Sequence, residues 1–359
     1  MSSVSAFAPG RVELLGNHTD YNDGVVLSAA LDLGISVTGK KRDDDKIVLS
    51  SEGIEGNVTV DLASFQANGE WSDYPLGVVK KLQEAGESLG GFEAHYEASL
   101  PQGAGLSSSA ALEVATGVFL MRLFGLTVGA LEMAKLCRKA ENEFVGVNCG
   151  LLDQVSSIFG KKGEAIYLDC RAESVETFPF PANAGLLIVN SGVKHALTGG
   201  EYNERRTMCF AAAEALGVKA LRDATSASLA SGSMPDIVRR RAAHVVGENE
   251  RVGEALNYLK AGDSAGFGAL MSASHKSSME NFENSTPELD SLVRIACSTP
   301  GVFGARLTGG GFGGAIVALV AKSAIEEAAR EIVKRYAEET GHTGTPIICL
   351  PGDGAWTAR

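Results

Sequence analysis

Along the first hundred positions apolar residues come in short runs or in alternation, at 25–30, 34–40, 46–51 and 92–98, which is the period of strands with one buried face. Clusters such as Asp43-Asp44-Asp45 separate these runs as turns. From Ser107 the spacing changes. Ala110, Leu112, Val114, Ala115, Val118, Phe119, Leu120 and Leu123 suit one long, largely buried helix that stops at Gly125, and a second helix is predicted over 131–144. A short helix over 152–159 is followed by strand patterns at 164–169 and 185–189, and then by helices over 201–216, 235–259 and 264–282. The end of the chain alternates: a strand near Ala305, a glycine loop, a strand over 315–320, a helix over 324–340 and a last strand over 346–350. Strands and helices are segregated, which predicts an α+β fold rather than a doubly wound parallel sheet. The expected division is into two domains, 1–180 and 181–359.

Composition narrows the partners more than the fold. With 359 residues, 45% of them hydrophobic, the chain can bury one large core or two modest ones. A formal charge of -12 argues against nucleic acid or an anionic membrane surface as partner. A nucleotide substrate is compatible with it, because backbone amides and a metal can neutralise phosphates locally. The six cysteines, at 137, 149, 170, 209, 297 and 349, contain no Cys-x-x-Cys pair, so reduced and mostly buried thiols are expected. The first residues lack a basic segment followed by an apolar core, and no run of about 18 apolar residues occurs. A cytoplasmic location is the expectation. Arg239-Arg240-Arg241 reads as a solvated helix face.

Three constellations carry chemistry. Between Gly10 and Gly24 the chain crowds Arg11, Asn17, His18, Asp20, Tyr21 and Asp23 behind a short apolar run, many more directional donors and acceptors than a turn needs. Such a loop is built to grip something polar. The second is Leu100-Pro101-Gln102-Gly103-Ala104-Gly105-Leu106-Ser107-Ser108-Ser109-Ala110-Ala111, where a strand gives way to the long helix. Small residues let backbone amides approach a ligand, and a helix N-terminus offers unpaired N–H groups and the positive end of a dipole, so this reads as a phosphate cradle. One serine would suffice as an N-cap. This segment is neither a Walker A sequence nor a Gly-x-Ser-x-Gly elbow. The third, Thr308-Gly309-Gly310-Gly311-Phe312-Gly313-Gly314, satisfies Gly-x-Gly-x-x-Gly but precedes a strand, so it is a strand-loop-strand and not a dinucleotide site. Asp153, at the start of the short predicted helix, reads equally as a cap or as an acid-base group.

The first stretch closely resembles the N-terminal signature of galactokinases, in the family of small-molecule kinases that includes homoserine and mevalonate kinases. The second and third constellations resemble that family's other two motifs, and further similarity at Asn190-Ser191-Gly192-Val193-Lys194-His195, Glu201-Tyr202-Asn203-Glu204, His244-Val245-Val246-Gly247-Glu248 and Ser274-His275 extends the resemblance over essentially the whole chain. It implies two domains with the active site in the cleft between them, a sugar and ATP as small-molecule substrates, Mg²⁺ as cofactor, and a monomer or weak homo-oligomer. By the resemblance, Gly103, Gly105, Leu106, Ser107, Ser108, Ser109 and Ala110 wrap the ATP phosphates, and Ser108 and Glu141 contact Mg²⁺. Asp153 lies beside the anomeric hydroxyl with Arg11 facing it. Asn17, His18, Asp20, Gly150 and Tyr202 complete the sugar side. Trp71 and Tyr74 resemble the aromatic pair near the adenine, although core packing accounts for either equally well.

One position departs from the pattern: Asn17 stands where galactokinases usually have Glu. An amide keeps an acceptor, gains a donor and loses the charge, so tolerance of a carboxylate at the sugar's C6 is expected to rise. Galactose is the expected substrate. Galacturonate, arabinose and N-acetylgalactosamine are the alternatives, together with a sensor that binds sugar and ATP without turnover.

Overall fold

The computed structural model describes residues 3–101, 105–193 and 200–356. Two long strands, β1 (Val4–Leu15) and β2 (Val25–Lys41), form an antiparallel pair from Val4 opposite Gly39 to Leu15 opposite Leu27. Then come β3 (Lys46–Ser51), β4 (Val58–Asp61), α1 (Asp73–Glu84), β5 (Phe92–Ala98), α2 (Ser108–Phe124) and α3 (Ala130–Lys139). A π-helical turn, Ala140–Val145, extends α3, and α4 (Leu152–Phe159), β6 (Glu164–Asp169) and β7 (Ser174–Pro179) follow. The strands make one sheet in the order β4-β3-β5-β2-β6-β7 with β1 paired to β2, and only β3 and β5 run parallel. The remainder holds β8 (Ala184–Asn190), α5 (Gly200–Leu216), α6 (Ser226–Ser231), α7 (Asp236–Ala261), α8 (Ser264–Ser277) with a π-helical turn at Ser278–Phe282, and α9 (Pro287–Cys297). It closes with β9 (Val302–Thr308), β10 (Ala315–Ala321), α10 (Ile325–Thr340) and β11 (Thr345–Cys349). These strands form an antiparallel sheet, β11-β8-β10-β9.

The second sheet shows why its strands read as continuous apolar runs. In β8, Leu187 and Val189 face a core built with α9 and α10, while Leu186 and Ile188 face a larger core shared with the first sheet. In β10, Ile316, Ala318 and Val320 take the first side and Ala315, Val317 and Leu319 the second. Both faces are dry, so the period-2 alternation of polar and apolar residues disappears. The larger core runs without a break from β2 and α2 through Val252 and Leu259 of α7 to Phe267 and Met271 of α8. After β11 the chain returns to the first sheet, where the N–H of Gly352 donates to Ala30 at 2.9 Å and that of Ala355 to Ser157 at 2.9 Å.

Three expectations are corrected. Residues 25–30 and 34–40 belong to the single strand β2, which continues through a shift in its register against β1 between Ala30 and Gly34. Helix α1 was not anticipated in a region read as strand; it buries Leu76, Val78, Val79 and Leu82, and the Asp73 carboxylate ties its start by accepting from the N–H groups of Asn68 and Gly69. Arg239, Arg240 and Arg241 are not a solvated face. Arg241 is 1% exposed and donates to the Asn281 carbonyl and, at 2.6 Å, to Glu283, so the run bolts α7 to the turn that follows α8.

Candidate active site

Residues two apart on a strand share a face, and on β1 that places Arg11 and Glu13 on the same side. Arg11 donates from Nε and Nη2 to the two carboxylate oxygens of Asp153, at 2.8 and 2.9 Å, and from Nη1 to the Gly105 carbonyl at 2.8 Å. Asp153 lies in the first turn of α4, where Leu151 holds the N-cap position, so capping does not explain it. Its third hydrogen bond comes from the hydroxyl of Ser107. Ser107 is the N-cap residue of α2 in a left-handed conformation, φ +56°, and makes no side-chain cap bond. A non-glycine residue held there marks a site where the surroundings impose the geometry. With the hydroxyl turned to Asp153, the first-turn N–H groups of α2 keep no side-chain cap, beside exposed Ser108 and half-buried Ser109.

The loop after β1 is anchored from below by one carboxylate. Glu248 of α7 accepts at Oε2 from the N–H groups of Gly16 and Asn17, both at 2.9 Å, and at Oε1 from Arg251 at 2.6 Å. Burial alone would raise the Glu248 carboxyl, but the charges of Arg251 and Arg306 outweigh it and hold it well below the usual range. The Asn17 amide donates both hydrogens inside the protein, to Glu13 Oε1 at 2.9 Å and to the Gly309 carbonyl at 2.7 Å, and its oxygen accepts from Asn284 at 3.0 Å. His18 bonds Tyr21 through Nδ1 at 2.8 Å and the Gly310 carbonyl through Nε2 at 3.0 Å. Burial pushes its pKa down to about 4, so the ring is neutral at pH 7. Gly311, at φ +83°, is required because a Cβ there would meet the Asn284 carbonyl at 2.2 Å. The first and third motifs are thus locked together, and the first meets the second through Arg11 and Gly105.

They enclose a cavity of about 260 Å³, lined by Arg11, Glu13, Asn17, His18, Asp20, Gly150, Asp153, Tyr202, Gly309 and Gly310 among others. That is below the roughly 300–1,000 Å³ of drug-sized sites and suits a monosaccharide. Burial, then the nearby Glu13 carboxylate, push the Asp20 pKa up to about 6. Gly150 makes room for it: a Cβ there would lie 2.1 Å from Asp20 Oδ2. The Tyr202 ring packs 5.1 Å from that of His18. Glu141, which also lines the cavity, is 5% exposed, not a solvated helix carboxylate, and accepts from Gln154 at 2.9 Å, from the Cys149 thiol at 3.2 Å and from Ser109. Burial raises its pKa.

The family model of the GHMP kinases N-terminal domain matches residues 73–161, that of the GHMP kinases C-terminal domain residues 255–338, and the galactokinase galactose-binding signature residues 2–41. A galactokinase of Glaesserella parasuis is 40% identical over 98% of this chain and 94% of its own. The chain belongs to the galactokinase family. Among solved structures, Lactococcus lactis galactokinase complexed with galactose superposes with a TM-score of 0.94 at 34% identity, covering 98% of this chain and 94% of that one. The Methanococcus jannaschii mevalonate kinase, at 20% identity and a TM-score of 0.72 over 98% of both chains, shares the fold. Membership makes the protein an ATP-dependent sugar kinase with a mixed α+β architecture of two GHMP kinase domains.

The structure brings together Arg11, Asn17, His18, Asp20, Glu141, Gly150, Asp153 and Tyr202 around the cavity, with Gly105 to Ala110 beside it. Gly103, Lys194 and His195 lie outside the described residues. Trp71 does not line the cavity; it packs edge-on against Tyr96, ring centres 5.8 Å apart, at the margin of the core with Tyr74. The sequence assigned no role to Glu13, Arg306, Asn284 or Glu248, the last lying in a segment noted only for its resemblance. Only Glu13 left a usable signal, its two-residue spacing from Arg11 on a strand.

Proposed function

We propose that the protein is a galactokinase that transfers the γ-phosphoryl group of ATP, with Mg²⁺, to the anomeric hydroxyl of galactose. The observation that carries this reading is the Asp153 carboxylate, held by two bonds from Arg11 and one from Ser107 at the junction between a monosaccharide-sized cavity and the uncapped start of α2. Phosphoryl transfer needs alignment and charge neutralisation more than covalent help. Asp153 accepts the proton of the anomeric O–H as that oxygen bonds to phosphorus, and the bond to the ADP oxygen breaks. Arg11 fixes the carboxylate in place and stabilises the negative charge that builds on the transferring group. The N–H groups opening α2 receive phosphate oxygens.

Mg²⁺ binds through few carboxylates, retained waters and substrate phosphates, so a cage of protein ligands is not needed. Among the described residues no three His, Cys, Asp or Glu side chains form one. The donors fit: Glu141 is a carboxylate whose charge is disfavoured by burial, and exposed Ser108 is next to Ser109, which bonds Glu141. Glu141 and Ser108 would hold the ion, which when bound would neutralise charge on the phosphates. We place the domain boundary near residue 180, between β7 and β8, and read the enzyme as cytoplasmic. In support, all six cysteines are free and no described helix is long and apolar enough to cross a membrane.

The experiment is ADP release with MgATP and a panel of galactose, arabinose, N-acetylgalactosamine and galacturonate. Galactose is expected to give the highest kcat/KM. Turnover of another sugar in its place, or none at all, contradicts the reading.

A further inference from the structure

Glu13 is a buried carboxylate that the transfer step does not use. Its side chain is 7% exposed, and one oxygen, Oε1, takes both of its hydrogen bonds, from Asn17 Nδ2 at 2.9 Å and from Arg306 Nη1 at 3.0 Å. Among the described residues Oε2 has no hydrogen-bond partner, and Glu13 lines the cavity. Burying an unpaired carboxylate oxygen is costly unless something completes it. Arg306 is wholly buried, and its Nε and Nη2 also lack partners, so this cation depends on Glu13 for its one hydrogen bond. Two groups from other elements therefore hold the carboxylate with its free oxygen toward the cavity.

Position then says what the oxygen meets. Glu13 is one pleat along β1 from Arg11, about 7 Å for two residues of a strand. Arg11 marks the transfer end through Asp153, so Glu13 sits about one pyranose width away, where the far end of a ring whose anomeric oxygen faces Asp153 would lie. The cavity has further carboxylates in Asp20, Glu141 and Asp153, and the one cation lining it among the described residues, Arg11, is already bonded to Asp153 and Gly105. Such a lining takes a neutral polyhydroxylated ligand and repels an acid.

We propose that Glu13 is the specificity-determining residue at the exocyclic end of the sugar, accepting the C6 hydroxyl at Oε2, with Asn17 and Arg306 as its positioning residues. This rests on the reading of the cavity as the sugar site. It also replaces the expectation that Asn17 itself faces C6 and admits a carboxylate there, since both amide hydrogens of Asn17 are bonded within the protein.

The test is kcat/KM for galactose and 6-deoxygalactose, measured with the wild type, Glu13→Gln and Glu13→Asp. The wild type is expected to prefer galactose by about tenfold to a hundredfold, the range for a hydrogen bond to a charged acceptor. Glu13→Gln should lose most of that preference, through KM for galactose and not through kcat. Because the preference is a ratio within one protein, a smaller folded fraction does not distort it. Glu13→Asp keeps the charge beside Arg306 if Glu13→Gln fails to fold, and should reduce the preference by withdrawing the oxygen. A preference unchanged in whichever variants fold, or absent from the wild type, overturns the assignment of Glu13. Failure of the wild type to phosphorylate galactose at all overturns the sugar-site reading beneath it.

Discussion

At the sugar end of the cavity the protein works with buried side chains tied to one another: Glu248 holds the backbone of Gly16 and Asn17, Asn17 and Arg306 hold Glu13, and Arg11 holds Asp153. At the phosphate end, the start of α2, it works with backbone and small hydroxyls, and the N-cap serine leaves its helix uncapped to bond Asp153. Fixed charges in a dry setting discriminate among neutral ligands by where their hydroxyls fall, since a buried acceptor left empty is costly. A ring of N–H groups and hydroxyls accepts any polyphosphate that brings its own counter-ion. Specificity is therefore expected to reside in the buried network and nucleotide affinity in the exposed turn, with Asp153 joining the two through its bonds from Arg11 and Ser107.

The comparison breaks most severely at that shared residue. Asp153→Asn is expected to bind sugar and nucleotide but to lose at least about a hundredfold in kcat, the lower range for a positioned acid-base group. Ligand titration alongside single-turnover rates checks this. At the sugar end, Glu248→Gln removes the charge that Arg251 and Arg306 surround, and breaking such a buried pair costs about 3–5 kcal/mol. Chemical denaturation should show that loss, and the variant that remains folded should have a raised sugar KM. At the phosphate end, Ser108→Ala and Glu141→Gln should each raise the Mg²⁺ concentration needed for half-maximal rate while leaving the sugar KM nearly unchanged. A raised sugar KM in those two variants would dissolve the distinction between the ends.

The smallest effect concerns pH. Burial and Glu13 raise the Asp20 pKa from an ordinary 3.8 to about 6, so the folded state holds this proton more tightly than the unfolded one. Its contribution to stability is fully present below the ordinary value and is lost as pH rises through about 6. Asp20→Asn should therefore melt higher than the wild type at pH 8, by a difference on the order of 2 kcal/mol that closes toward pH 4. Melting curves at the two pH values decide it. In the wild type, the sugar KM should rise as pH falls below 6, when Asp20 takes its proton and ceases to be a pure acceptor.

The two ends also differ in how far they could be read from sequence. The serine turn was legible because its chemistry is local: consecutive small residues before an apolar helix are enough to suggest a phosphate cradle. Motif one announced a polar ligand, but which of its residues face it depends on partners nearly three hundred residues away, Arg306 and Gly309. Asn17 drew attention as a departure from pattern, yet its amide is bonded internally, and the carboxylate facing the cavity is Glu13, four residues earlier. Helix α1 was missed because its buried positions sit among strand-like neighbours in a sheet-rich region. The strands β8 and β10 and helix α2 were read with nearly correct bounds, because elements buried on every side keep their apolar character whatever the tertiary context.

One measurement tests the central claim most directly: the wild type is incubated with MgATP and galactose, and the product is examined by proton and phosphorus NMR. The expected result is one phosphate coupled to the anomeric proton, with one ADP formed for each sugar phosphate. A phosphate on any other carbon, or ADP formed without a sugar phosphate, would contradict the placement of the anomeric hydroxyl at Asp153.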